Sequence, residues 1–303
     1  MFTSLISLYI ASALQSDLPI DNTNLKQVSP SIKTASLQLS NIVREQRVPI
    51  KNQSMIAPVI EAKGVVALDI ETGEVLYEKN AHTRLPIASI TKLMTALIIL
   101  EENNLDEIVT VSANAANTEG STMHLRQDEQ ITVRNILYGI MTNSANDGAV
   151  ALAEHNAGSV DAFIDKMNKK AVELGLVNTH FSNPIGLDGP KNYSSAYDIA
   201  KLGRYVYQID LIKEAAIVKN MEVSSVSGKY VHKLESTNEL LDSYLHVKGL
   251  KTGKTDGAGQ CFISIAENEL GNEVVTVVLN SPSRFQETKV LLDWLFRAYN
   301  WNS

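Results

Sequence analysis

One apolar stretch of the chain has a clear helical period. From Ile90, the residues Ile90, Leu93, Met94, Leu97, Ile98 and Leu100 recur at i, i+3, i+4 and i+7, and Ala96 and Ile99 fill much of the remaining circumference. A helix apolar on nearly every side belongs in a core. Ahead of it, Gly64-Val65-Val66-Ala67-Leu68-Asp69-Ile70, a Thr72-Gly73 turn and Glu74-Val75-Leu76-Tyr77 predict a β-hairpin. Behind it, three helical patterns run from Val133 to Met141, from Asn146 to His155 and, after Ser159 as a cap, from Val160 to Leu174. Gly and Pro make 183–190 a loop, and Ala196 to Tyr207 resumes a helix.

The remainder reads as strands. Met221-Glu222-Val223 and Lys229-Tyr230-Val231-His232 flank a Ser227-Gly228 turn, and the Lys251 segment, Cys261 to Ala266 and Glu273 to Leu279 follow as short strands. Ser283-Arg284-Phe285-Gln286 resembles a capping box opening a last amphipathic helix through Tyr299. Strands at both ends with helices between them imply an α/β body: an antiparallel sheet flanked by helices, plus a helical lobe facing it. A cleft between sheet edge and lobe is where distant segments would meet.

Length and composition add the organisation. The 303 residues, 44% hydrophobic and 20% charged, are ordinary for a globular chain. Residues 1–14 are uncharged and mostly apolar and end in Ala11-Ser12-Ala13, which reads as a secretory signal although no Lys or Arg precedes it. Export to a periplasmic or extracytoplasmic space is therefore expected. Residues 15–57, rich in Asn, Ser, Gln and Thr without a period, read as a poorly ordered linker, and 58–303 as one catalytic domain. A net charge of −7 without a basic, aromatic-interleaved cluster argues against nucleic acid as a partner. The six histidines never approach metal-ligand spacing, so no metal and no cofactor is expected, and the lone Cys261 reads as a buried small hydrophobe.

Candidate chemistry begins where the apolar helix starts. In Ser89-Ile90-Thr91-Lys92 the serine and lysine lie three residues apart, nearly one helical turn, and so share a face. Burial disfavours an ammonium, and a neutral amine can take a proton from a serine hydroxyl. A second lysine nearby would push the same way. Taken alone, Ser89 is better read as a helix cap and Lys92 as a surface residue, because Ser-x-x-Lys arises by chance roughly once in a chain of this size. Ser144-Ala145-Asn146 precedes a helix, where both residues are good caps; the functional reading is a proton relay by Ser144 and a substrate-amide contact by Asn146. Lys251-Thr252-Gly253 sits on a predicted strand, where Gly is unfavourable unless something approaches the backbone closely, such as a substrate strand.

The ordered set resembles that of penicillin-binding proteins and class A β-lactamases. Segments 86–95, 143–147, 193–198 and 249–255 extend the resemblance, which covers roughly residues 58 to 300, to the low-molecular-mass penicillin-binding proteins of the D-alanyl-D-alanine carboxypeptidase family. It implies the penicillin-binding protein/β-lactamase-like transpeptidase fold and an acyl-serine enzyme that removes the terminal D-Ala from peptidoglycan stem peptides. β-Lactam antibiotics would be covalent inhibitors. By resemblance, Ser89 carries the acyl group, Lys92 accepts its proton and Ser144 joins a network with Lys92 and Lys251. Lys251 and Thr252 bind the substrate carboxylate, and the N–H of Lys254, after Gly253, is a second oxyanion donor beside that of Ser89.

Lys254 departs from the aromatic residue or His common there. The chain ends about fifty residues past Lys251, which leaves no room for the C-terminal β-domain and amphipathic anchor of many relatives, so no stable membrane anchor is expected beyond the N-terminal segment. Three other readings compete. A D,D-endopeptidase would share every motif. A class A β-lactamase needs a deacylating Glu, and Glu173 does not match its motif; a non-catalytic β-lactam sensor would need a reacting group to be missing.

Overall fold

The computed structural model describes residues 48–301; the signal-like segment and most of the expected linker lie outside the described residues. In chain order, β1 (Ile50–Lys51), β2 (Gly64–Asp69) and β3 (Val75–Lys79) are followed by a 3-10 turn over Ala88–Thr91 that runs straight into helix α1 (Lys92–Glu102). β4 (Ile108–Thr110), α2 (Ala113–Ala116), β5 (Gln130–Thr132), α3 (Val133–Thr142), α4 (Asn146–Ala157) and α5 (Val160–Glu173) come next. The chain continues through α6 (Ala196–Val206), α7 (Asp210–Ala216), β6 (Asn220–Ser224), β7 (Val231–Glu235), β8 (Val247–Thr255), β9 (Gly259–Glu267) and β10 (Glu273–Ser281) to α8 (Arg284–Ala298) and β11 (Tyr299–Asn300).

Five strands form an antiparallel sheet in the order β3-β2-β10-β9-β8, so the N-terminal hairpin completes a sheet begun by the C-terminal strands. Side chains alternate across a strand, and here the alternation divides two cores. Val66, Leu68, Cys261, Ile263, Val275 and Val277 face the helical lobe, whereas Val65, Ala67, Phe262, Val274 and Val278 face α8 through Leu291, Leu292 and Leu295. The sheet is thus sandwiched, with α1 inside the lobe. Leu93, Met94, Ala96, Leu97, Ile98 and Ile99 are all buried, the outcome required of a helix with no polar face.

Three expectations change. Ile50–Lys51 pair with Tyr299–Asn300, and Asn52 N–H donates to Ala298 O at 2.7 Å, so the folded body starts ahead of residue 58. The Ser283 box does not form, because its side chain caps nothing; the nearby Glu287 carboxylate instead accepts from the N–H groups of Glu61 and Ala62 and from Ser281 Oγ, pinning α8 to the strand entry. Finally, β1, β4, β5, β11, α2 and α7 were not legible, since two to seven residues hold too few repeats to show a period.

Candidate active site

The 3-10 turn holds Ser89 half-exposed at the edge of the buried helix, with Ala88 at φ 49°. Lys92 opens α1 and is wholly buried, its Nζ 2.8 Å from Ser89 Oγ and 2.7 Å from the carbonyl oxygen of Ile185, to which it donates. Burial holds this amine well below its ordinary range, the nearby Lys251 ammonium lowers it further, and Asp147 partly opposes both. A neutral Nζ leaves a lone pair for the Ser89 hydroxyl proton while still donating to Ile185. Chemically, such a pair can act as a nucleophile with its base.

That carbonyl is placed by the 183–187 loop. Asn183 Oδ1 accepts from the N–H groups of Ile185 (3.2 Å), Gly186 (2.6 Å) and Leu187 (3.1 Å), folding the loop into a tight turn. Gly186 has φ 89° and a side chain there would collide with Ala88 O, so the loop closes on the serine turn only with glycine at its apex. Thr95, one turn beyond Lys92, donates to Pro184 O at 2.7 Å. Asp188 ties the far end of the loop to β8–β9, accepting from Thr255 Oγ1 at 2.6 Å and Gly257 N–H at 2.9 Å.

Lys251 is buried on edge strand β8, and burial first, then the Arg284 guanidinium, lowers its amine to about 7. Thr252 Oγ1 lies 2.5 Å from Thr237 Oγ1. At Gly253 a close approach comes from within the chain. A Cβ there would sit 2.9 Å from Ser89 N and from Ala88 Cβ, so what approaches β8 is the serine turn itself. Arg284 Nη1 donates to Gly253 O at 2.7 Å, and its buried Nε has no partner among the described residues. Lys254 follows, exposed, opposite Gln260.

Ser144 joins α3 to α4 at φ 65°, a strained conformation for a residue with a Cβ. Its buried Oγ has no hydrogen-bond partner among the described residues, so the expected hydrogen-bonded network with Lys92 and Lys251 is not formed, and Lys251 reaches Lys92 through charge. Asn146 begins α4; its Nδ2 donates to Glu119 O and its N–H to Ser121 O, both at 2.7 Å. Asp147 is buried beside it and accepts from the N–H groups of Met123, Gly148 and Leu125. Glu173 lies in the last turn of α5, paired with Lys170 at 3.2 Å.

Sequence reasoning missed Asp147, Asn183, Thr237 and Arg284. Asp147 and Arg284 lay inside segments read as a helix start and a capping box, and a loop asparagine or threonine has no spacing to betray it.

Comparison with known proteins supplies the relatives. A family model described as D-alanyl-D-alanine carboxypeptidase matches residues 50–283. D-alanyl-D-alanine carboxypeptidase DacF of Bacillus subtilis (strain 168) is 38% identical over 247 residues, 79% of this chain and 63% of that protein. DacC of Escherichia coli (strain K12) is 35% identical over 264 residues, 82% of this chain and 64% of that protein, so the chain spans less than two thirds of either length. The crystal structure of the Streptomyces K15 DD-transpeptidase superposes with a TM-score of 0.76 at 32% identity, covering 80% of this chain and 99% of that one.

Proposed function

The chain belongs to the D-alanyl-D-alanine carboxypeptidase family, and from that membership we propose that it is a serine-type carboxypeptidase removing the terminal D-Ala from peptidoglycan stem peptides through an acyl-serine. The observation that carries this reading is the fully buried Lys92 amine 2.8 Å from Ser89 Oγ. Ser89 Oγ attacks the carbonyl of the penultimate D-Ala as neutral Lys92 takes its proton. The oxyanion is received by the N–H of Ser89 and that of Lys254, brought together because glycine at 253 lets β8 lie against the serine turn. Collapse of the tetrahedral adduct breaks the bond to the leaving D-Ala amine, which takes up the proton from Lys92; Ser144 Oγ, without a partner among the described residues of the free site, is open to relay that proton once the substrate is seated. Water then attacks the acyl-serine ester, releases the shortened peptide and returns the proton to Ser89.

Lys251, Thr252 and Arg284 seat the terminal carboxylate on the edge of β8, and the Asn146 amide contacts the peptide. A β-lactam, with an acyl carbonyl and a carboxylate in the same relation, is trapped on Ser89. The substrate lies outside the cytoplasmic membrane, so the protein works there; among the described residues no helix is long and apolar enough to cross a membrane.

Mass spectrometry of muropeptides digested by the wild type and by Ser89→Ala tests this. Release of free D-Ala by the wild type alone is expected. Cleavage of cross-linked dimers instead would make it an endopeptidase, and full activity in Ser89→Ala would overturn the mechanism.

A further inference from the structure

A buried histidine–carboxylate pair lies outside the groups used above. His232 on β7 has Nε2 2.6 Å from Glu129 Oε1 and Nδ1 2.8 Å from the carbonyl oxygen of Met123. A carbonyl only accepts, so Nδ1 carries a hydrogen and donates it. Glu129 Oε2 accepts from Arg126 N–H at 3.0 Å, so the carboxylate is held by the same segment that the histidine grips.

Met123 is fixed from three sides. His232 holds its C=O, and Asp147 Oδ1 accepts its N–H at 3.0 Å while Oδ2 takes that of Leu125 at 2.9 Å. Its side chain is a buried peg entering a slot between α3 and α4. A Cβ on Gly139 would lie 2.5 Å from its sulfur, so glycine at 139 gives the side chain its room, while Gly148 borders the slot at ordinary contact distance. Just ahead of Met123 in the chain are the two carbonyls, of Glu119 and Ser121, that hold the Asn146 side chain and N–H. Of these hydrogen bonds, that of His232 reaches Met123 from the β6–β7 hairpin and that of Asp147 from α4.

We propose that His232 is a positioning residue for the reaction: its bond to Met123 fixes the 119–125 segment and so aims the Asn146 amide at the substrate. This rests on the reading of Asn146 as a substrate contact. It separates two roles that the pair could combine, since the bond to Met123 acts on the site while the bond to Glu129 satisfies a buried carboxylate and acts on stability.

The two bonds can be tested separately, because an asparagine amide reaches where Nδ1 lies and a glutamine amide where Nε2 lies. The measurements are the second-order acylation constant with a fluorescent penicillin and the melting temperature, for His232→Phe, His232→Asn and His232→Gln, with and without Asn146→Ala. His232→Phe is expected to acylate roughly ten- to a hundredfold more slowly, the scale of a site displaced by an ångström or less, and to add nothing to Asn146→Ala. His232→Asn recovers most of the acylation constant yet melts low. His232→Gln recovers the melting temperature but not the acylation.

Multiplicative losses in the double variant, or acylation that simply follows melting temperature across the series, overturn the proposal. If His232→Phe does not fold, the Asn and Gln variants carry the test alone. Absence of labelling in the wild type would instead strike the acyl-serine reading itself.

Discussion

At Lys92, burial lowers the amine most, Lys251 lowers it further and Asp147 acts in the opposite direction. Acylation requires the neutral amine, so its rate rises with pH through this group's titration. Lys251→Met removes a lowering influence and is expected to move the acid limb of the pH–rate profile to higher pH; a limb that stays put would show that the Lys251 charge does not reach Lys92. With a carboxylate substrate the wild type is expected to show an alkaline limb near 7, where Lys251 gives up its charge, and the variant to lack it. The position of each limb, not the amplitude, is the readout, because substrate binding also weakens.

The elements around the serine turn meet through two glycine-dependent contacts and one asparagine. In Gly253→Ala the new methyl carbon has 2.9 Å to Ser89 N and to Ala88 Cβ, so β8 must retreat from the turn. Acylation by a fluorescent penicillin is expected to fall about a hundredfold, as displacements of this size do, with far-UV circular dichroism unchanged. Asn183→Ala removes the acceptor of three loop N–H groups. Chemical denaturation should show a loss of about 1 kcal/mol, the low end of the range for unpaired donors because these are partly buried or exposed, and kcat/KM should fall as the Ile185 carbonyl drifts from Lys92. Unaltered kcat/KM in that variant would mean that the loop does not position the base.

For the whole molecule, two buried lysines set a dependence of stability on pH. Both have folded-state pKa values below the unfolded ones, so the unfolded chain binds more protons in the window between them. Stability therefore rises with pH across that window, which for Lys251 extends from about 7 to 10.5, at a slope of up to about 1.4 kcal/mol per pH unit for each group. Urea denaturation of Lys251→Met at pH 7 is expected to show a more stable and less pH-dependent protein than the wild type. A loss of stability would refute the view that the site is held at the expense of the fold.

Much of this was legible in the chain because the signals are local and periodic. The alternating and helical segments, from the Gly64 hairpin to the Glu273 strand, reappear within a few residues of their expected bounds, and the all-apolar face of the Ile90 helix announced the burial of Lys92. Ser89 and Lys92 share a turn, so their contact follows from spacing alone. What holds them together does not. Ile185 and Lys92, Gly253 and Ser89, Arg284 and Gly253, and His232 and Met123 are each joined across many residues of chain, where no period connects one partner to the other. The sequence by itself determined the longer elements and the placing of Ser89 and Lys92 on one turn. Only tertiary packing decided which backbone faces Gly253, that Ser144 makes no hydrogen bond with either lysine, and how Asn146 is aimed, because those depend on surfaces that meet only when the lobe closes on the sheet.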